Sequence, residues 1–263
     1  MSPRRIALFL LLAALAPGCA ALAKKPLTPA ADINRKELAQ FDPPPNERYY
    51  LILFGSESKP KAAKTTHTWA TLVTATDVPG CPEPVLDVQT ISWLPETLDI
   101  QPMRFRVEPG KNFDLDTTIG ESLRTNQQLT RWGPYELWHG FAHRFRVQKE
   151  FLDSGRIGYQ CSDSVGEAAR TGNGSDCIHA VTDMDPEFGR TRYPLIFFGR
   201  SGTQNFVGRT MRAPAVIDPP KTHDWIVPRL GLDRYPITRG KYIGPVTPYS
   251  REAVIAVAER VGK

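Results

Sequence analysis

Cysteine is scarce in this chain, four residues in 263, and neither sign of charge is in large excess: 33 Lys and Arg against 28 Asp and Glu, a formal +5. An excess so small and evenly spread argues against nucleic-acid binding. The sequence has no phosphate-binding loop, no dinucleotide fingerprint and no serine nucleophile elbow. That sets aside the P-loop, Rossmann and α/β-hydrolase chemistries. Internal repeats and low-complexity domains are missing as well. Hydrophobic residues at 41 % and charged residues at 23 % describe an ordinary globular protein, and 24 prolines point to many extended loops.

The long apolar run sits at the start. Arg4 and Arg5 precede residues 6–15, which are too few to span a bilayer comfortably but match the n- and h-regions of an export signal. Two exits are open. Ala21-Leu22-Ala23 is a small-x-small cleavage site, and Ala16-Pro17-Gly18-Cys19 resembles a lipobox that would retain a lipid anchor at Cys19. The chain is therefore expected to be exported, as an inner- or outer-membrane lipoprotein or a free periplasmic protein. Without Arg4 and Arg5 its formal charge is about +3.

Beyond the signal (1–23) the expected organisation is a linker at 24–46, an α+β domain at 47–215, and a C-terminal extension at 216–263 with a final helix packed on the main domain. Three strands are expected at 48–55, 65–76 and 85–94, joined by short connections as an antiparallel meander. A further edge strand is expected at 98–107, and a helix near 116–126. A stronger helix is expected from Pro134, a residue favoured at the first helical position, to about Phe151. The stretch 193–199 is apolar, and Ser250 would cap a helix over 251–261.

The glycine-rich Thr171-Gly172-Asn173-Gly174 leads into Ser175-Asp176-Cys177-Ile178-His179. This reads as a loop feeding a helix, with Ser175 or Asp176 as its cap and Cys177 in the first turn. Unpaired amides and the helix dipole there favour a thiolate. Cys81, Cys161 and Cys177 remain after export, an odd number. The economical pairing is Cys81 with Cys161, leaving Cys177 free; the other is Cys161 with Cys177, which would remove the nucleophile. A hydrolase built on Cys177 needs an imidazole as well, and His67 lies near the start of the second strand.

A strand histidine in Thr66-His67-Thr68-Trp69-Ala70, followed about 110 residues later by a helix-borne cysteine, resembles the circularly permuted papain-like hydrolases of the NlpC/P60 and lecithin-retinol-acyltransferase-like group. The resemblance covers about residues 48–190. It implies a permuted papain-like α+β fold, an antiparallel sheet with helices packed on it, with Cys177 as nucleophile and His67 as general base and acid. A third polar residue would come from the next strand, where Gln89, Thr90 and Ser92 are the options and none is the usual His or Asn. It further implies a cell-envelope cysteine hydrolase or acyltransferase that acts on amide or ester bonds without a cofactor, with a peptidoglycan peptide or a lipid ester as substrate. The chain is also similar overall to exported bacterial proteins carrying His-Thr-Trp-Ala and Cys-Ile-His-Ala segments, which brings no activity with it. The competing expectation is a non-enzymatic envelope protein that binds or scaffolds.

Other constellations are weaker. His139 and His143 share a helical face at i and i+4, with Glu136 beside them, a spacing that can hold zinc. Gly140, however, stands where a metalloprotease has Glu, and Arg144 and Arg146 make the surroundings cationic. No metal is assigned. Asp183-Met184-Asp185 lacks the spacing and glycine of a calcium loop. His179, two residues after Cys177, would point about 200° away on a helix and hydrogen-bond Asp183.

Overall fold

The computed structural model describes residues 28–33, 37–38, 41–185, 198–213 and 215–246. The expected export signal, residues 193–197 of the apolar stretch and the expected final helix at 251–261 lie outside them. The described chain is α+β. Its main sheet is mixed and five-stranded, with β4 (Trp93–Pro95) and β5 (Gly110–Asn112) paired apart from it. Strands β1 (Glu47–Ser58), β2 (Thr66–Thr76) and β3 (Val85–Ile91) form the expected meander. β6 (Gln127–Leu137) joins β1 antiparallel, and β9 (Ile237–Arg239) joins β6 parallel.

Both faces of the central strands are covered, so β1 and β2 are buried almost throughout, β1 through an apolar run and β2 through alternating threonines and apolar residues. Side chains alternate across a strand. Tyr50, Ile52 and Phe54 of β1 join Trp69 and Val73 of β2 on one face, under Leu115 and Ile119 of α2 (Leu115–Arg124) and Ile226 of α7 (Ile226–Arg229). Tyr49, Leu51 and Leu53 join Ala70 and Leu72 on the other. There they meet Phe141 and Phe145 of α3 (His139–Asp153), Ala180 and Val181 of α5 (Cys177–Thr182), and Phe206 and Val207 of α6 (Arg200–Thr210). We call these the first and second faces. α6 lies close against β1 because position 55 is glycine: a Cβ there would come within 2.5 Å of the Thr203 hydroxyl.

Three expectations about elements change. Residues 127–137 are strand, so Pro134 lies inside β6 and α3 begins at His139. Leu129, Trp132 and Tyr135 bury their side chains against β1, and the ladder shifts register between Leu51 and Leu53 to pass the proline. Pairing with a central strand outweighs the local helix signal. Residues 98–107 are irregular, with a turn at 102–103, and do not form a strand. The described part of the expected linker is docked: helix α1 (Pro29–Asp32) buries Ala30, and the Thr28 hydroxyl donates to the Asp183 carbonyl at 2.8 Å. Within the expected C-terminal extension, β9 joins the sheet and α7 helps cover its first face.

Candidate functional site

The site is built where two short strands end side by side. β7 (Gly158–Tyr159) and β8 (Gly174–Ser175) pair in parallel, with Tyr159 opposite Ser175, and the Gln160 amide donates to the Ser175 carbonyl at 3.1 Å. Cys161 lies two residues beyond Tyr159 and Cys177 two beyond Ser175. Both thiols consequently leave on one side, into a cavity of about 590 Å3. Met103, Phe105, Val165, Ile178 and Phe198 give this cavity apolar walls, and Tyr159, Ser162 and Asp176 supply polar atoms.

Asp176 is the cap of α5, as its sequence suggests: its carboxylate accepts the His179 amide at 2.7 Å, and Cys177 is the first helical residue. The resulting thiol is not a low-pKa thiol. Burial, with the Asp176 carboxylate adding to it, pushes Cys177 well above its ordinary value, and a hydrogen bond from the Thr68 backbone only partly opposes this. Thr68 offers that backbone because β3 stops opposite Ala70, which leaves the start of β2 open on that edge. Cys161 is pushed up to about 11, by burial first and then by Asp176, against a hydrogen bond with Tyr159.

His67 and Cys177 are not brought together. His67 shares the first face with Trp69, stacked on it at 5.2 Å, and is buried there. α5 covers the second face, where Thr68 points instead, its hydroxyl 2.9 Å from that of Thr203. His67 Nε2 is 2.9 Å from the Ser92 hydroxyl, which accepts from Thr118 at 2.8 Å. Burial holds His67 down at about 3, so it is a neutral imidazole at any ordinary pH. Of the three candidate polar partners only Ser92 reaches it: Gln89 is half-buried and donates to Asp87, and Thr90 is paired with Thr71.

Each of the other histidines has its own setting. His143 stacks on Phe41 at 4.7 Å, with His139 6.1 Å from the same ring, and Glu136 lies on β6 facing His223 at 3.7 Å, so the zinc-like spacing is used for aromatic packing. His179 is buried on α5, where its backbone carbonyl accepts from the Asp183 amide at 2.9 Å. Its Nδ1 lies 2.8 Å from Asp163 Oδ1 and 3.1 Å from Asp176 Oδ2. Burial alone would lower its pKa, but the two carboxylates outweigh burial and hold it well above the usual value. Asp163, Asp176 and His179 also form the metal-competent cluster among the described residues, with ligand atoms within 4.8 Å of one another. A proton on Nδ1 satisfies both carboxylates, and the triad is read as a buried ion cluster that fixes α5.

Among the described residues, Cys81, Cys161 and Cys177 are free thiols. Cys81 is exposed beyond the far end of β2, whose opposite end at Thr66 lines the same cavity as Cys161. At about 3.3 Å per residue that is roughly 30 Å, which rules out the Cys81–Cys161 bridge. Sequence reasoning missed Tyr159, Cys161, Asp163 and Thr68. One signal was available: Gly158-Tyr159-Gln160-Cys161 and Gly174-Ser175-Asp176-Cys177 share a Gly-x-x-Cys pattern, and those glycines pair across β7 and β8. Comparison with protein-family models, curated proteins and solved structures finds no match to this chain.

Proposed function

We propose that the chain is an exported envelope protein that binds a small amphipathic molecule, its apolar part held against the Cys161 and Cys177 wall. The observation that carries this reading is the cavity itself. It lies within the 300–1,000 Å3 usual for small-molecule sites, and it combines apolar walls with a few convergent polar groups. The test is saturable binding of a fluorescent fatty acid to the intact chain. Val165→Trp at the rim and Cys177→Trp at the floor should each abolish it while far-ultraviolet circular dichroism stays native. Binding unchanged in both variants would place the ligand elsewhere or nowhere.

A second reading keeps the permuted papain-like resemblance and makes the protein a cysteine hydrolase or acyltransferase for a peptidoglycan peptide or lipid ester. What favours it is Cys177 at the first position of a helix, on the wall of that cavity. In that reading Cys177 attacks without help from His67, and the bound substrate must itself lower the thiol pKa. Release of product from acyl esters, lost in Cys177→Ser, would promote this reading over simple binding.

A further inference from the structure

The cavity opens beside an exposed apolar edge that the binding reading leaves unused. Met103 is 78 % exposed, Phe105 48 % and Val165 42 %, although all three also line the cavity. The backbone that carries Phe105 is braced against the segment that follows Val165. The Glu167 amide donates to the Phe105 carbonyl at 2.9 Å, and the Val107 amide donates to the Glu167 carboxylate at 3.0 Å. Gly166 has φ +65°, and a Cβ on it would come within 2.5 Å of that same carbonyl, so the loop and the turn are braced against each other. A braced loop that keeps a Met and a Phe in water is costly unless something covers them.

The charges around the edge say what that is. Arg104 and Arg106 flank Phe105, and Lys64 sits between the cavity-lining Ala63 and Thr66; all three are exposed. Lys61 lies 4.9 Å over the ring of Phe198, another wall residue. Arg104 is paired with Glu108 and Lys61 with Glu57, whereas Lys64 and Arg106 have no ion-pair partner among the described residues. The two acids nearest the thiols, Asp163 and Asp176, are occupied by His179.

Resting on the binding reading, we propose that this rim docks on the surface of an anionic lipid bilayer. Met103, Phe105 and Val165 enter the headgroup boundary while Lys64, Arg104 and Arg106 meet lipid phosphates. The cavity behind them then receives an acyl chain from the membrane rather than from water. Apolar tips alternating with cations are what interfacial binding needs: area to bury and charge to meet the negative surface. No helix among the described residues is long and apolar enough to cross a membrane, and this attachment requires none.

The experiment is co-sedimentation of the full chain with vesicles of equal parts phosphatidylglycerol and phosphatidylcholine, or of phosphatidylcholine alone. Wild type and variants carry the same N-terminus, so any contribution from that segment cancels. Wild type should prefer the anionic vesicles, and salt should weaken the preference. Lys64→Gln with Arg106→Gln should lower partition to anionic vesicles about 25-fold, at about fivefold per cation, and leave fatty-acid probe binding in vesicle-free solution unchanged. Met103→Ser with Phe105→Ser should lower partition to both vesicle types. Wild-type indifference to lipid charge, or variants that partition like wild type, would overturn the proposal. Loss of the vesicle-free probe signal with this vesicle pattern intact would instead overturn the cavity reading and leave the docking surface standing.

Discussion

Replacing His179 with Phe tests the ion cluster beneath α5. The side chains of Asp163 and His179 are 1 % and 4 % exposed, so their 2.8 Å contact is made away from water. His179→Phe would leave Asp163 and Asp176 facing each other without the cation between them. Removing one partner of a buried ion pair costs about 3–5 kcal/mol. Asp163→Asn should cost less, about 1.5–3 kcal/mol, because it removes one charge-assisted hydrogen bond and leaves the Asp176–His179 pair neutral overall. Urea denaturation, followed by tryptophan fluorescence and fitted with a common slope, gives both values. The pH dependence adds a sign. His179 is held above its unfolded pKa of about 6.5, so its stabilisation is complete below that pH and fades as pH rises through the higher folded value. The difference between wild type and His179→Phe should therefore shrink with increasing pH. A cost below about 1 kcal/mol for His179→Phe, or a difference that grows with pH, would refute the buried imidazolium.

His67→Ala should leave the alkylation rate of Cys177 unchanged at every pH, while costing about 1–3 kcal/mol of stability because Ser92 loses one of its two partners in the core and keeps only Thr118; a slowed Cys177 would restore the catalytic pair. Since His67 is held at about 3, wild-type stability should carry a penalty that grows as pH falls from about 6.5 toward 3, and His67→Phe should remove it in acid denaturation curves. Cys177 itself should react slowly with iodoacetamide at pH 7 and still be accelerating beyond pH 9, read by mass spectrometry; rapid labelling below pH 7 would contradict the buried thiol. Peptide mapping of unreduced protein folded under oxidising conditions should find Cys81 unpaired with Cys161, and a linked peptide would contradict the strand separation.

Local chemistry made much of this legible in sequence, and long-range geometry hid the rest. Asp176 announces α5 because an acid before an apolar run has a free amide two or three residues on to accept from. β1 announces itself as a continuous apolar run and β2 as a run rich in β-branched residues, both suited to a strand. Residues 127–137 misled because Pro134 after a glycine is a good helix start in isolation, and only pairing with β1 makes it strand. Asp163 carries no local signature: it matters because a turn between β7 and α4 (Gly166–Thr171) brings it under His179 from outside α5.

The position of His67 turns on a single residue. A strand gives its faces to alternate positions, so an imidazole one place earlier than required is on the wrong side of the sheet. Thr66-His67-Thr68-Trp69 contains the residue type that a cysteine hydrolase needs, and in sequence the match looks close. In the sheet, Trp69 settles the phase. Its ring stacks on Phe54 at 5.0 Å in the first-face core, and His67 must follow it. Thr68 then inherits the place beside α5, where its backbone reaches the Cys177 sulfur and its hydroxyl is taken by Thr203. Moving His67 to the cavity side would require a one-residue slip of β2, which would also carry Trp69 and Val73 off the first face. Burying such side chains is worth about 1.5–3 kcal/mol each, so the slip is closed to the folded protein. The histidine is therefore held where it is by the tryptophan two places on.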